Sequence, residues 1–278
     1  MSTEYATSPP RWRPSPLVGA SFATHAAALG AVIGRPKVWP WALSALLADH
    51  ALLAVSGLWP RSDLLGPNLS RLSQAVALRG EIAITFDDGP DPEVTPRVLE
   101  VLEERGVRAT FFCIGERVRD CAELARETAA RGHDPENHSE RHLRRFSLLG
   151  PRGITTEIER AQESIGRVAG RRPAFFRAPA GLRNPFLDPV LSRLGLRLAS
   201  WTRRGFDTVD SSAQAVLARL AAALAAGDIL LLHDGHSART ASGVPVILEV
   251  LPRLLDAVSE ADLKPVTLRA ALAAGAAR

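Results

Sequence analysis

Lysine is almost missing from this chain. Lys37 and Lys264 are the only two, so the net charge of +4 comes from arginine. The arginines are scattered, and no basic run is interleaved with aromatic residues. That excludes a nucleic-acid-binding surface of the usual basic kind. Cysteine is scarce as well. Cys113 and Cys121 flank an expected strand-to-helix turn and match no metal or redox spacing. A disulfide framework is thereby excluded, and cysteine says nothing about compartment. No small-x-small cleavage site follows the first apolar stretch, which argues against a removed signal peptide despite the basic residues ahead of it. What is present is a globular apolar fraction, 46%, in 278 residues. That is enough for one catalytic domain and an appendage.

Residues 1–15 are polar and proline-rich, with Arg11 and Arg13, and are expected to be disordered. Leu17 to Gly34 carries no formal charge, although it contains His25. Arg35-Pro36-Lys37 interrupts, and a second apolar stretch runs from Val38 to Trp59 with Trp39, Trp41 and Trp59 near its ends. Each stretch has about the 17–25 residues needed to span a bilayer, and tryptophans suit the interfacial belts. Residues 16–60 are therefore expected to form a helical hairpin in the membrane. Asp49-His50 in mid-segment favours a buried helical subdomain instead, because an acid at the centre of a span costs about 2.5–3.5 kcal/mol. An intramembrane acid can also be functional, paired with a neighbouring or facing histidine. A third alternative lays both stretches flat on the surface. Arg11 and Arg13, Arg35 and Lys37, and Arg61 are spread too evenly for the positive-inside rule to orient the hairpin. Residues 61–80, with Gly66-Pro67 and no sustained period, read as a linker.

From Glu81 onward apolar runs alternate with helical patterns. Strands are predicted at Ile82–Phe86, Ala109–Ile114, His133–Asn137, Phe175–Ala178, Leu196–Trp201, Ile229–His233 and Pro265–Leu268. Among the helices, Val94, Val98, Val101 and Leu102 recur at helical spacing, and Thr156 with Glu159 forms a capping box. Ser212 begins another helix, ended by Gly227, and Pro252 predicts a late start or a kink in the last. The alternation implies a parallel sheet covered on both faces, in residues 81–278. Sequence does not separate a barrel from an open sheet. However, Asp87-Asp88, Arg177, Asp207 and His233 all fall at or beyond strand C-termini, where barrel enzymes gather their chemistry.

Four motifs carry chemistry. Asp87-Asp88-Gly89-Pro90 ends an apolar strand, and is either a plain turn or a pair of acids aimed at one site. His138-Ser139-Glu140-Arg141-His142 spaces two imidazoles four apart. On a helical turn they share a face and reach one cation, and two histidines with a carboxylate are a known catalytic zinc set. Otherwise they are surface histidines. Arg177-Ala178-Pro179-Ala180-Gly181 places a cation before a proline turn. Leu230-Leu231-Leu232-His233-Asp234 ends an apolar strand in a histidine, which needs a partner there.

Together and in this order the motifs resemble the polysaccharide deacetylases that share the NodB homology domain, carbohydrate esterase family four. The resemblance runs from about Glu81 to about Ala270. It implies a distorted (β/α)7 barrel and a metal-dependent hydrolase removing N-acetyl groups from amino sugars of a polysaccharide or lipid-linked glycan. It implies Asp88, His138 and His142 as ligands of a divalent metal, Zn²⁺ or else Co²⁺ or Ni²⁺. Asp87 becomes the general base, held ionised by Arg177, and His233 the general acid. The Ala180 backbone N–H serves the oxyanion, and Leu231 lines an acetyl-methyl pocket. Asp207 aligns with the acid that orients the histidine, with Trp201 or Phe206 in place of a missing indole wall. A deformylase of a lipid-linked amino sugar and a non-catalytic glycan-binding protein are the alternatives. The location implied is a bacterial inner membrane, with the barrel on the periplasmic face where glycans commonly lie. Pro135-Glu136 departs from the apolar residue and glycine common in the family, so the predicted strand there is expected to be an edge or distorted.

Overall fold

The computed structural model describes residues 12–276. Most of the segment expected to be disordered lies outside the described residues. Two apolar helices, α1 (Pro16–Gly34) and α2 (Trp39–Leu58), form a hairpin closed by one tight turn at Pro36–Val38. Proline opens both helices, where a missing N–H costs nothing. Mid-helix Asp49 is not bare: the Ser21 hydroxyl donates to its Oδ2 at 2.7 Å, and His25 and His50 flank the same oxygen at 3.8 and 3.9 Å. Both helices are long and apolar enough to cross a membrane, yet only 11% of each apolar window is buried. Phe22, Leu29, Ile33, Leu43 and Leu47 stand exposed, so the hairpin is no soluble core.

Residues 61–80 were expected as a linker, and the structure corrects this. Leu65, Leu72 and Val76 are buried, the last in the short helix α3 (Gln74–Ala77). Leu72 and Val76 pack with Ile229, Leu268 and Ala271 and plug the bottom of the sheet's concave side. The segment lacks a sustained period because each apolar residue is placed singly against the barrel.

The strands are β1 (Glu81–Asp87), β2 (Thr110–Cys113), β3 (Asp134–Asn137), β4 (Phe175–Phe176), β5 (Arg197–Leu198), β6 (Arg203–Arg204), β7 (Ile229–His233) and β8 (Lys264–Val266). Their order is β5-β4-β3-β2-β1-β7-β6, all parallel, with β8 paired to the first residues of β1. This is the curled sheet of a distorted (β/α)7 barrel. The predicted strand Leu196–Trp201 is instead β5 followed by a crossing to β6, the two ends of the curl. Leu69 bridges to Ala199 at that gap.

The interleaved helices are α4 (Thr95–Glu104), α5 (Gly115–Asp120), α6 (Ala122–Ala130), α7 (Pro151–Ala169), α8 (Leu187–Leu194), α9 (Ala213–Ala221), α10 (Val246–Glu260) and α11 (Leu268–Ala276). Strand residues alternate as a pleat requires. Ile82, Ile84 and Phe86 face the outer helices, while Ala83, Thr85 and Asp87 face inward. The Thr156 capping box does not form. Helix α7 starts earlier, behind Gly150-Pro151, and the Thr156 hydroxyl donates to the Arg152 carbonyl from inside the helix. Pro252 sits within α10 rather than delaying its start.

Strand β3 is not an edge: it pairs with β2 and β4. The backbone N–H groups of Asp134 and His138 donate to the carbonyls of Ala109, just before β2, and Cys113 at its end. Pro135 is out of phase with them, so its missing donor turns toward β4, which pairs only from Asn137 onward. Glu136 fills that gap. Its Oε2 accepts the backbone N–H groups of Ala174 and Phe175, each at 2.7 Å, and Oε1 takes Arg269 Nε at 2.5 Å. The two departures from the family pattern thus compensate each other.

Candidate active site

The chemistry collects at the C-terminal ends of the strands. Asp87 is the last residue of β1 and faces inward beside its register partner His233 on β7. An unbroken pleat would send Asp88 outward. Instead Asp88 takes a left-handed φ of 72°, a conformation that aspartate tolerates, and its carboxylate stays on the site side. Gly235 lies against the Asp88 carbonyl so closely that a Cβ would overlap it.

Arg177 follows β4 and is almost wholly buried. Its Nη1 donates to Asp87 Oδ1 at 2.6 Å and to Thr85 Oγ1 at 2.8 Å. Its Nε and Nη2 donate to the carbonyls of Ala199 and Ser200, and its guanidinium lies 4.0 Å from the Phe112 ring centroid. Every edge of the cation is occupied, so Asp87 is held at a fixed point. Burial works against the Arg177 charge and lowers its pKa, opposed by Asp87.

His138 and His142 do come together, with ring centroids 4.8 Å apart, but not on a helical turn. They sit on an irregular loop in which Ser139 and His142 adopt φ of 64° and 49°. The Ser139 hydroxyl accepts the His142 N–H at 3.1 Å, and Asn137 Oδ1 accepts the Ser139 N–H at 2.9 Å. His138 Nδ1 lies 2.9 Å from the Arg177 carbonyl, which fixes that nitrogen as the donor and leaves Nε2 free. The Nε2 atoms of His138 and His142 approach Asp88 Oδ1 at 3.4 and 3.3 Å. That oxygen is buried and has no hydrogen-bond partner. Three lone-pair donors facing one point with an orphaned carboxylate oxygen among them suit a divalent cation. Burial would raise the Asp88 carboxyl, but the imidazoles of His138, His236 and His142 around it hold it far below the ordinary range. Burial and His138 push His142 down to about 4, leaving its ring neutral and able to ligate.

His233 ends β7 and is locked by Asp207, which is fully buried in the loop after β6. Asp207 Oδ1 pairs with His233 Nδ1 at 2.8 Å, and Oδ2 accepts the His233 backbone N–H at 2.7 Å. Burial alone would lower the His233 pKa, but Asp207 overrides it and the net shift is upward. Ala180 is exposed, with φ of 55°, in the turn after Arg177. Leu231 is buried among Phe112, Phe175 and Trp201 in the barrel interior. Trp201 is 7% exposed and lies within cation–π range of Arg177 and Arg204, whereas the Phe206 ring is half exposed. Sequence reasoning passed over His236, whose Nδ1 reaches Asp88 Oδ2 at 3.2 Å, and Arg117, which contacts both His236 and the Asp88 carbonyl. His236 stands three residues beyond His233, a spacing that carries no recognisable signal.

A family model described as polysaccharide deacetylase matches residues 77–199. A peptidoglycan-N-acetylglucosamine deacetylase of Bacillus cereus is 33% identical over 175 residues, 62% of this chain and 81% of that protein. A chitooligosaccharide deacetylase of Azorhizobium caulinodans is 33% identical over 171 residues, covering 60% of this chain and 81% of its own length. Among solved structures, a family 4 carbohydrate esterase from Streptomyces lividans, in complex with acetate, superposes with a TM-score of 0.60 at 29% identity, covering 67% of this chain and 91% of that one. The hairpin and most of residues 61–80 stand outside the family match.

Proposed function

Because this chain belongs to the polysaccharide deacetylase family, we propose that it hydrolyses N-acetyl groups from amino sugars of a polysaccharide or lipid-linked glycan, with Asp88, His138 and His142 holding a divalent metal. The observation that carries this reading is an acid and a histidine on neighbouring strands, each fixed by its own buried partner. Asp87 is locked by Arg177, and His233 is locked by Asp207. The two histidines and the carboxylate suit Zn²⁺, and Co²⁺ or Ni²⁺ fit the same donors. When bound, the cation polarises the acyl carbonyl and makes water a stronger nucleophile near neutral pH.

The chain's own residues do the rest. Asp87 takes a proton from the attacking water as the new C–O bond forms. The Ala180 N–H receives the oxygen that becomes negative. His233 gives its Nε2 proton to the departing nitrogen as the C–N bond breaks, and Asp207 keeps that ring oriented and charged until then. Leu231 lines the pocket for the acyl methyl. Acetate and a free amine leave. Residues 16–60 anchor the chain in the membrane, with the barrel on the periplasmic side. Two exposed apolar helices and a satisfied Asp49 support the anchor.

Asp87→Asn tests the assignment. The variant is expected to bind metal in the same amount as wild type and to lose about 10²–10⁴ in turnover of an N-acetylated chitooligosaccharide. Turnover within a few-fold of wild type would put the base elsewhere.

A further inference from the structure

Resting on the deacetylase and membrane-anchor readings, we propose that the mouth of the barrel is held against the bilayer surface. Its substrate is then an N-acetylated amino sugar carried at that surface, a glycolipid headgroup, rather than a freely diffusing oligosaccharide. The hairpin does not hang on a flexible arm. Its foot is built onto the segment that runs from Ala180 into the start of α8 and onto the chain that follows α2. The Trp12 indole N–H donates to Asp188 Oδ2 at 2.7 Å, and the Ser15 hydroxyl donates to the Leu64 carbonyl at 2.7 Å. The Arg183 backbone N–H donates to the Gly57 carbonyl at 3.1 Å, and its buried guanidinium reaches the Ser62 carbonyl. A Cβ at Gly57 would overlap the Arg183 carbonyl, and one at Gly181 would overlap Trp201 and Pro60. Pro60 at the hairpin foot therefore packs on the residue next to Ala180.

An apolar rim continues from this foot. Trp59 and Leu64 are 60% and 50% exposed, Phe186 is 48% exposed, and Leu148 is 83% exposed. Asn184 ties the last two together, donating to the carbonyls of Ser147 and Leu149 at 2.9 and 2.8 Å. Leu148 belongs to the loop that follows His138 and His142. Phe206 and Val209, also exposed, lie on the loop after β6. Leu78, also exposed, immediately precedes the N-terminal end of β1, opposite the strand ends that carry the site. A single exposed leucine means little, but a connected group around a catalytic mouth marks a binding surface. The spanning helices already set the bilayer at the foot, so the surface continuous with it is lipid. Exposed Arg13 and Arg61 at the same foot favour anionic headgroups.

The test uses full-length protein in vesicles of phosphatidylethanolamine and phosphatidylglycerol. Nitroxide labels are placed on Leu148→Cys, Phe186→Cys or Leu78→Cys in a Cys121→Ser background, Cys113 being buried. Labels at 148 and 186 are expected to collide with oxygen dissolved in lipid more than with a water-soluble chromium oxalate, and the label at 78 the reverse. If 148 and 186 behave as 78 does, the placement is overturned, whether or not acetate is released. In a second arm, an N-acetylglucosaminyl lipid in the vesicles competes with a soluble N-acetylchitooligosaccharide. Wild type is expected to prefer the lipid, and Leu148→Asp with Phe186→Asp to lower that preference about tenfold, the scale of removing an apolar side chain from lipid. Equal preference in wild type overturns the substrate class. Release from neither substrate overturns the deacetylase reading, while the labels still decide the placement.

Discussion

Asp207 and His233 form the clearest residue-level device in the site. The histidine is buried, which should disfavour its charge, yet the acid pushes its pKa upward. A raised folded-state pKa means that the pair's stabilisation is fully present below the unfolded histidine value, about 6.5. It is lost as pH rises through the folded value. The proposed mechanism takes the same sign, because a general acid must hold its proton. Asp207→Asn is therefore expected to move the alkaline limb of the kcat/KM profile to lower pH, besides lowering the rate. A profile that keeps its alkaline limb would separate Asp207 from the histidine. The residues of this pair were legible as types. Their contact was not, because Asp207 lies in a loop whose local sequence reads equally well as a surface acid. Asp88 is similar: its adjacency to Asp87 was plain, but only the left-handed φ explains how two consecutive residues serve one site.

At the scale of elements, the departures from expectation share a cause. Local pattern was overridden by a long-range partner. The two imidazoles of the His-x-x-x-His motif meet through a loop braced by Ser139 and Asn137, not through helical spacing. Thr156 with Glu159 looked like a helix start because capping chemistry was present, yet Pro151 opens α7 earlier. Pro135 looked like an edge marker, and Glu136 on the same strand supplies what a neighbouring strand would. Glu136→Ala is expected to cost about 1–3 kcal/mol for each backbone N–H left unsatisfied at Ala174 and Phe175, as read by denaturant unfolding. A loss below about 0.5 kcal/mol, the scale of ordinary surface substitutions, would remove Glu136 from that role. Residues 61–80 carry the same lesson. Removing everything before Ser70 discards the buried Leu65 and the bridge from Leu69 to Ala199 on the barrel.

At the scale of the whole molecule, alternation of strand and helix made a covered parallel sheet readable before any contact was known, and the family resemblance supplied its curl into a distorted barrel. The hairpin was readable too, but not its fixed attachment, since Gly57 and Gly181 show their purpose only when their neighbours are in place. Full-length protein is expected to fractionate with membranes and to resist alkaline carbonate. Complete release into the carbonate supernatant would leave two apolar helices in need of another partner.

The central claim is that Asp88, His138 and His142 hold the metal with which Asp87 and His233 deacetylate a glycan. It is tested most directly by following acetate released from an N-acetylated glycan before chelation, after it, and after metal is returned. The account predicts loss of acetate release with the metal, recovery with Zn²⁺ or Co²⁺, and neither stoichiometric metal nor recovery in His138→Ala. Full activity in excess chelator, with no metal bound, would contradict it.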